Sequence, residues 1–278
     1  MIHKTYQWKT RDKKLLHATS WKPDKEANKT ILMVHGLGEH CGRYERWAGM
    51  FVEKGFNFLC FDLRGHGKSS GKRGYARSID SLLDDIDLAI QKSKRLFKDS
   101  KLILYGHSMG GNLVLNHVIR RNYPVVALIV TSPWLKMAKE PSQPVISLTK
   151  FLSKVMPSVT FPNGLDLEHI SHDPEIVRSY ANDPLNHNKV SARLFTEMYQ
   201  GGYHALRNVY KINYPFLLMH GTEDRITSPR ASENYVMNTC SRTQLKLWEG
   251  QYHELHNELI YQEVFDYIID WLKKYDLA

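Results

Sequence analysis

The sequence predicts an α/β protein whose central sheet is mostly parallel, and three observations support that class. Continuous apolar runs of strand length recur along the chain, and such runs are typical of strands that are buried on both faces. Longer stretches with apolar residues every three or four positions separate these runs, as crossover helices require. A glycine-flanked serine, in Gly106-His107-Ser108-Met109-Gly110, falls where one run ends and a helical stretch begins. Strands that alternate with helices in this way build a sheet covered by helices on both faces.

The predicted elements follow in order along the first half of the chain. Strands are predicted over 5–10, 15–21, 30–34, 56–61, 102–105 and 125–130. Helices are predicted over 43–54, 78–97 and 113–120. The strand at 102–105, the glycine-flanked serine and the helix at 113–120 form a strand, a sharp turn and a helix, which is the context of a nucleophile elbow. A Cβ atom at Gly106 or Gly110 would collide with the neighbouring strand or helix, which explains both glycines.

The alternation stops from residue 134 to about residue 208, where six prolines and two helical stretches occur. The sheet pattern resumes at 215–219 and 244–248, and a helix is predicted over 258–275. We therefore expect one α/β core, formed by 1–133 and 209–278, with 134–208 inserted on top of it. One helical stretch of the insertion, 145–156, carries an apolar stripe and an opposite polar side. The stripe is Val145, Leu148, Leu152, Val155 and Met156, and the polar side includes Ser147, Lys150, Ser153 and Lys154.

Composition and charge limit the function classes. The chain has 278 residues and a net charge of +9, but its basic residues are dispersed and form no nucleic-acid motif, so we expect no nucleic-acid partner. The N-terminus lacks an apolar stretch of signal-peptide length, and no apolar run reaches the roughly 20 residues that span a bilayer. Three scattered cysteines, Cys41, Cys60 and Cys240, favour a reducing compartment over a disulfide framework. These features predict a cytoplasmic protein.

Ser108 is the candidate nucleophile. A serine hydroxyl is a weak nucleophile at neutral pH, so it needs a base within hydrogen-bond reach and a group that orients the base. Strand ends display such groups in an open α/β sheet, and Asp224 and His253 follow the strands at 215–219 and 244–248. The order serine, acid, histidine matches hydrolases that carry the Gly-x-Ser-x-Gly turn. We therefore predict that His253 is the base and that Asp224 orients it.

Two neighbouring residues compete for these roles. Glu223 precedes Asp224, but the spacing after the strand favours Asp224 as the acid. His256 lies one helical turn beyond His253, where it would start the last helix. That position suits a residue that lines a pocket better than a base.

The tetrahedral intermediate of acyl transfer needs two fixed backbone N–H donors. The amide of Met109, directly after the nucleophile, is one candidate. The glycine-rich loop 35–38 follows an earlier strand, and the Leu37 amide is the second candidate. The stretch 65–69 lacks the first glycine of a phosphate-binding loop, and 253–257 lacks the second histidine of a zinc helix. We therefore predict no metal and no cofactor.

Motifs along nearly the whole chain carry a resemblance to a known family. They are His35-Gly36-Leu37-Gly38-Glu39-His40, Gly42-Arg43-Tyr44, Asp62-Leu63-Arg64-Gly65-His66-Gly67-Lys68-Ser69, Gly106-His107-Ser108-Met109-Gly110-Gly111, Ser132-Pro133, Asp183-Pro184-Leu185, His220-Gly221-Thr222-Glu223-Asp224-Arg225 and Tyr252-His253-Glu254-Leu255-His256-Asn257-Glu258. The chain resembles the monoacylglycerol lipase and lysophospholipase branch of the α/β-hydrolases, the serine aminopeptidase-like hydrolases. The resemblance implies an α/β-hydrolase fold with a mostly parallel eight-stranded sheet, helices on both faces and an inserted cap.

The resemblance also implies roles for particular residues. Residues 134–208 fall where the mobile cap of the family lies, and we refer to them as the cap segment. Positions that match Glu39, Arg43 and His256 face the glycerol head group in the family. The second oxyanion residue of the family is often alanine, whereas Leu37 stands here. That change keeps the backbone donor and narrows the pocket.

The predicted function is hydrolysis of lipid esters, with monoacylglycerol cleaved to glycerol and a fatty acid through an acyl-enzyme on Ser108. The alternatives are a lysophospholipase, a carboxylesterase for short esters and, from a different class, a non-catalytic receptor or scaffold with this fold. The apolar stripe at 145–156 either packs on the core or faces the acyl chain or a lipid surface, and the sequence leaves both open. We expect a small lipid ester as ligand, no obligate protein partner and at most a transient contact of the cap segment with a membrane or micelle surface. That contact would place a cytoplasmic protein peripherally at membranes.

Overall fold

A computed structural model of the chain describes residues 1–121, 123–239 and 242–278. Cys240 lies outside the described residues. The strands are β1 (Ile2–Lys9), β2 (Leu15–Lys22), β3 (Lys29–Val34), β4 (Asn57–Phe61), β5 (Lys101–His107), β6 (Ala127–Thr131), β7 (Thr160–Pro162), β8 (Lys189–Ser191), β9 (Phe216–Gly221) and β10 (Thr243–Trp248). The α-helices are α1 (Glu45–Glu53), α2 (Ile79–Leu96), α3 (Met109–Arg120), α4 (Gln143–Val155), α5 (Pro174–Asn182), α6 (Ala192–Arg207), α7 (Pro229–Val236) and α8 (Tyr261–Lys273). Short 3-10 helices span Cys41–Tyr44, Leu167–His169, Val209–Lys211 and Leu255–Asn257.

Eight strands form one sheet in the order β1-β2-β4-β3-β5-β6-β9-β10. Strand β2 pairs antiparallel with both β1 and β4, and the other neighbours pair parallel. The predicted fold class, a mostly parallel eight-stranded sheet with helices around it, is therefore confirmed. Among the described residues, no helix combines the length and the apolar character that crossing a bilayer requires.

Both faces of the sheet are covered. Along β3, Leu32 and Val34 belong to the core beneath helices α2 and α3, whereas Ile31 and Met33 belong to the core beneath α1 and α8. All four side chains are fully buried. Successive side chains of a strand point to opposite faces, so a strand covered on both sides must be apolar at every position. That requirement explains the unbroken apolar run that predicted this strand.

The predicted helix bounds differ from the structure at several places, and α3 begins at Met109 rather than at 113. The helix predicted over 43–54 begins as the 3-10 turn Cys41–Tyr44 and becomes α-helical only at Glu45. The helix predicted over 258–275 is shorter, because α8 spans Tyr261–Lys273. Glu258 has extended backbone angles, and its carboxylate accepts a hydrogen bond from the Tyr252 N–H over 2.7 Å. This contact holds Glu258 in the irregular segment before the helix.

The cap segment contains helices α4, α5 and α6 and the small antiparallel pair β7–β8. Helix α6 packs on helix α3 of the core, and two asparagines of α3 hold it there. The side-chain amide of Asn112 donates to the Met198 carbonyl over 2.9 Å, and that of Asn116 donates to the Gly201 carbonyl over 2.9 Å. Whether residues 134–208 act as one cap stays a prediction, since α6 is attached to the core along its length.

The apolar stripe of helix α4 is exposed. Val145, Leu148, Phe151, Val155 and Met156 each have at least half of their surface accessible. The helix instead buries Ile146 and Ser153. The alternative that the stripe packs on the core is therefore wrong for Val145, Leu148, Val155 and Met156. Ser153, which was predicted to lie on the polar side of the helix, is in fact buried. Phe151 extends the exposed stripe.

The turn between β5 and α3 is the tightest contact around the sheet. Ser108 has a φ of 54°, in the left-handed region, where a residue other than glycine is strained. A Cβ atom on Gly110 would lie 2.0 Å from the Val34 carbonyl oxygen, and one on Gly106 would lie 2.5 Å from the Gly110 carbonyl oxygen. These distances give the physical reason for both glycines of the elbow.

We expect the substitution Gly110→Ala to lower the free energy of unfolding by about 2–3 kcal/mol or more, because the methyl group would force α3 away from β3. The matched control is Gly49→Ala in helix α1, where a Cβ atom meets nothing within 4 Å. The control should be neutral or stabilising by up to about 1 kcal/mol, since alanine has the higher helix propensity. Chemical denaturation of both variants measures the difference. Equal stability of the two variants would show that α3 is free to shift.

Candidate active site

Ser108 lies at the carboxyl end of the central strand β5 and at the start of helix α3. Its N–H donates to the Thr131 carbonyl of β6 over 3.0 Å. Its own carbonyl accepts hydrogen bonds from the N–H groups of Asn112 and Trp134. The residue is 8% exposed and lines the cavity described below. The backbone around the serine is therefore fixed on all sides, while the side chain has access to the cavity.

His253 and Asp224, predicted as base and orienting acid, lie in direct contact. His253 Nδ1 donates to Asp224 Oδ2 over 2.6 Å, which leaves the other ring nitrogen as the proton acceptor. His253 lines the same cavity as Ser108, and its ring lies 4.8 Å from the ring of His107, the residue before the serine. The structure thus brings the three predicted catalytic residues to one place.

The Asp224 carboxylate accepts five hydrogen bonds. Oδ2 accepts from His253, from His220 Nε2 over 2.9 Å and from the Thr227 hydroxyl over 2.9 Å. Oδ1 accepts from the N–H groups of Ile226 and Thr227. Burial alone would raise the pKa of Asp224, but the charge of His253 and the hydrogen bonds from His220 and His253 outweigh it and hold the pKa far below its usual range. Asp224 is therefore a carboxylate whenever the chain is folded.

The electrostatic partner of this carboxylate is His253. Burial lowers the pKa of His253, but the charge of Asp224 and the hydrogen bond to it have the larger combined effect, so that the pKa lies above its ordinary value. A buried imidazolium is thus stabilised beside a permanent anion. That is the property a general base needs, because it must hold the proton that it takes from the nucleophile.

Sequence reasoning missed the role of His220. This buried residue is the penultimate residue of strand β9, and its Nδ1 accepts a hydrogen bond from the Ser232 hydroxyl over 2.8 Å. It donates to the same oxygen of Asp224, Oδ2, as His253 does. The only sequence signal was that His220 opens the motif that contains Asp224, and that signal does not distinguish an acid-binding histidine from a strand residue.

The structure distinguishes between the competing candidates for the acid and between those for the base. Glu223 is exposed, whereas Asp224 is buried. His256 is buried against aromatic rings, with the ring of Tyr44 stacked at 4.8 Å and the ring of His107 at 4.9 Å. Burial lowers the pKa of His256 to about 4. His253 is the histidine that contacts the acid, and His256 lies in the 3-10 turn before α8 rather than at a helix start.

Of the two predicted oxyanion donors, Met109 directly follows Ser108 and Leu37 lines the same cavity as Ser108. Met109 is the first residue of helix α3, where backbone N–H groups have no acceptor within the helix. Leu37 lines the cavity and sits in the loop after β3. His35 holds this loop, because its Nδ1 donates to the Gly36 carbonyl over 2.8 Å and its Nε2 accepts from the Leu63 N–H over 2.9 Å. These two bonds require the neutral tautomer, in agreement with a pKa that burial lowers.

The cavity above Ser108 has a volume of about 360 Å³. Its wall is largely apolar, and the apolar lining residues are Leu37, Trp134, Met137, Leu165, Ile170 and Ile226. Charged residues occupy two different depths. Lys139, Asp166 and Arg225 are exposed, whereas Glu39 and Glu254 are 2% and 3% exposed. The exposed charges therefore mark the mouth of the cavity, and the two buried glutamates mark its base.

Of the three predicted head-group residues, only Glu39 lines the cavity. Arg43 and His256 are not among its lining residues. Arg43 lies behind the wall, where its guanidinium contacts Glu39 and Glu254. Arg43 and His256 are thus set back from the cavity, and their role toward a head group stays a prediction.

Three buried side chains, His17, Cys41 and Asp62, place one potential ligand atom each within 4.8 Å of one another. Both carboxylate oxygens of Asp62 are already engaged, because they accept from the N–H groups of Cys41 and Lys68 over 2.7 Å. A hydrogen bond to Cys60 and burial raise the pKa of the Cys41 thiol well above its usual range, whereas a metal needs the thiolate. These residues do not fit a metal, and the predicted absence of a metal and of a cofactor stays a prediction.

Comparisons with known proteins agree with this geometry. The profile of the family described as serine aminopeptidase, S33, matches residues 25–260. An abhydrolase domain-containing protein of Dictyostelium discoideum is 39% identical over 95% of this chain, which spans 28% of that protein's length. A monoacylglycerol lipase of Mycolicibacterium smegmatis is 30% identical over 91% of this chain and 90% of its own length. The crystal structure of Paleococcus ferrophilus monoacylglycerol lipase superposes with a TM-score of 0.85 at 30% identity, covering 92% of this chain and 98% of that chain.

We expect the pH dependence of ester hydrolysis to report His253. The base must be neutral to accept a proton, and its pKa is raised. Activity should therefore fall on acidification through a pKa above the ordinary histidine value of about 6.5. The measurement is kcat/KM for a nitrophenyl ester between pH 5 and pH 9.

The control is Asp224→Asn, which removes the charge that raises the pKa of His253. Its residual activity should be lower by several orders of magnitude, because the amide favours the wrong histidine tautomer. The acid limb of that residual activity should move to lower pH. An acid limb below pH 6 in the unaltered protein would contradict the assignment of His253 as the base.

Proposed function

Because the chain belongs to the serine aminopeptidase S33 family of hydrolases, we propose that it cleaves monoacylglycerols to glycerol and a fatty acid. The observation that carries the proposal is the buried hydrogen bond between His253 and Asp224, with His253 lining the same cavity as Ser108. A relative and a solved structure, each 30% identical, are monoacylglycerol lipases. The cavity is concave and mostly apolar with a few polar groups, as sites for small lipids are.

In the first half of the reaction, Ser108 Oγ attacks the ester carbonyl. His253 Nε2 takes the hydroxyl proton, and Asp224 stabilises the imidazolium that forms. The amides of Leu37 and Met109 donate to the oxyanion, an interaction worth about 10²–10³ in rate for one donor. When the intermediate collapses, His253 returns its proton to the leaving glycerol oxygen and the acyl group stays on Ser108.

In the second half, a water molecule occupies the place that glycerol has left. His253 takes a proton from this water, and the resulting hydroxide attacks the acyl carbonyl carbon. The same amides stabilise the second oxyanion. Collapse of the intermediate releases the fatty acid and returns the proton from His253 to Ser108.

The residues that line the cavity suit two different parts of the substrate, the acyl chain and the head group. The apolar wall, which includes Trp134, Met137 and Ile226, suits an acyl chain. Each buried methylene contributes about 0.8 kcal/mol, so selectivity between neighbouring chain lengths should be shallow. The buried carboxylate of Glu39 suits glycerol hydroxyls, which donate hydrogen bonds.

We expect Ser108→Ala to abolish turnover of monoacylglycerol and covalent labelling by a fluorophosphonate probe, because no other group replaces the nucleophile. The control is Ser142→Ala, at an exposed serine whose side chain makes no capping hydrogen bond. The measurement is product release from monoacylglycerol, lysophosphatidylcholine and a nitrophenyl butyrate ester. Preference for lysophosphatidylcholine or for the butyrate would support the lysophospholipase or the short-chain esterase. A chain that neither hydrolyses an ester nor reacts with the probe would be the non-catalytic scaffold.

We further propose that the exposed stripe of helix α4 contacts a membrane or micelle surface. Its exposed apolar residues, among them Leu148 and Phe151, project from the cap segment. None of the stripe residues lines the cavity, so the acyl chain of a bound ester is not their partner. Lys150 and Lys154 on the same helix are exposed and suit the negative surface of anionic lipids. Such contact would bring the cavity to its lipid substrate.

The paired substitution Leu148→Glu and Phe151→Glu should weaken binding to phosphatidylglycerol-containing vesicles by about tenfold or more, since it removes two large apolar side chains from the surface and adds two negative charges. The control, Met237→Glu, alters a residue that is 79% exposed after helix α7. Vesicle co-sedimentation measures the bound fraction. Equal loss in both variants would assign the effect to charge alone and not to the stripe.

A further inference from the structure

A buried cluster of three charged residues lies beside the base of the cavity. Arg43 Nη1 donates to Glu39 Oε2 over 2.8 Å and to Glu254 Oε1 over 2.7 Å, and Nη2 donates to Glu254 Oε2 over 2.7 Å. The ring of Tyr180 covers the face of the guanidinium at 4.5 Å. The cation is thus enclosed by the two carboxylates and the ring. It offers little to an anion in the cavity.

The two carboxylates, by contrast, line the cavity. Glu254 accepts two of the three guanidinium hydrogen bonds, and one more from the Asn257 side chain over 2.8 Å. Burial would raise the pKa of Glu254, but the charge of Arg43 and its hydrogen bonds outweigh burial and lower the pKa to about 2. Glu39 accepts hydrogen bonds on both oxygens, from Gly36 and Tyr44 on Oε1 and from Arg43 on Oε2. Two carboxylates therefore share one guanidinium, and the excess charge at the base of the cavity is negative.

A third group at this place lacks a partner. The Tyr180 hydroxyl is buried and has no hydrogen-bond partner among the described residues, although Tyr180 is 7% exposed and lines the cavity. A phenol can donate as well as accept. The base of the cavity thus offers carboxylate acceptors from Glu39 and Glu254 and a free hydroxyl from Tyr180, which together match the donors and acceptors of a polyol.

We propose that Glu254 is a specificity-determining residue, which makes this part of the cavity accept neutral polyol head groups and reject anionic ones. The inference rests on the proposed ester hydrolysis and concerns the alcohol half of the substrate. A phosphate on the glycerol would face two carboxylates in a buried place, where like charges repel strongly. The overall charge of +9 has the opposite sign. The local cluster, not the net charge, decides which head group enters.

The test compares two esters with the same acyl chain, a monoacylglycerol and the corresponding acylglycerol 3-phosphate, below the concentrations at which they aggregate. The unaltered protein should prefer the neutral ester in kcat/KM. In Glu254→Gln the preference should shrink by about tenfold, mainly through a lower KM for the phosphate ester. The variant keeps the shape of the side chain and leaves Arg43 paired with Glu39.

Two further variants control for charge and for structure. Glu254→Asp retains the carboxylate and should retain the preference. Glu223→Gln removes one negative charge from an exposed residue of the neighbouring loop and should leave the preference unchanged. An unchanged preference in Glu254→Gln, or an equal loss in Glu223→Gln, would overturn the proposal. So would an unaltered protein that cleaves the phosphate ester as well as the neutral one.

The proposal can also be tested on the unaltered protein, without any variant. Glycerol should compete with a nitrophenyl ester, whereas glycerol 3-phosphate should compete at least about tenfold more weakly. Equal competition by the two compounds would overturn the role of Glu254. Failure of the proposed function would look different, because the protein would then hydrolyse no ester and would not react with a fluorophosphonate.

Discussion

The close approach of helix α3 to strands β3 and β5 is the constraint on which the site depends. With no side chain at Gly106 and Gly110, the helix starts directly behind the strand ends, and a methyl group at Gly110 would meet the Val34 carbonyl at 2.0 Å. Ser108 is consequently forced into a left-handed conformation, with φ at 54°. The strain is sustained because the hydrogen bonds to Thr131, Asn112 and Trp134 hold the turn. One packing contact thus determines where the nucleophile stands and where the first amides of α3 lie.

Buried charge is distributed around this turn in two separate clusters. Asp224 forms one cluster with its two histidines, and Arg43 forms the other with Glu39 and Glu254. A buried ion is destabilising unless it is paired and hydrogen-bonded, and each carboxylate here meets that condition. The first cluster sets the basicity of His253, the proposed base. The second cluster sets the charge of the neighbouring part of the cavity. His253 and Glu254, which are adjacent in sequence, connect the two clusters.

Local patterns predicted the fold and the catalytic residues, whereas contacts between distant residues escaped them. Apolar runs marked inner strands such as β3, β6 and β9, because burial on both faces favours apolar side chains there, and the Gly-x-Ser-x-Gly turn marked Ser108 through its own steric demand. The outer strand β1 is largely exposed and was predicted from its alternating pattern. Glu254 escaped because its partner Arg43 lies 211 positions away. The exposed stripe of α4 could not be assigned either, since helical periodicity shows that one face is apolar and does not show what covers it. His256 was expected at the start of the last helix, whereas it lies in the 3-10 turn before that helix, against the rings of Tyr44, Trp47 and His107.

The side chain of Asn112 has a wider consequence for how this protein could diversify. One helical turn after Ser108, its amide donates to the carbonyl of Trp134, at the start of the cap segment, and to that of Met198, near its end. Asn112 therefore attaches two points of the cap segment, Trp134 and Met198, to helix α3. The segment between these two points, 135–197, supplies cavity-lining residues such as Leu165 and Tyr180 but none of the proposed catalytic residues. Substitutions in that segment can therefore change part of the cavity wall while Ser108, Asp224 and His253, which lie outside it, keep their positions in the core.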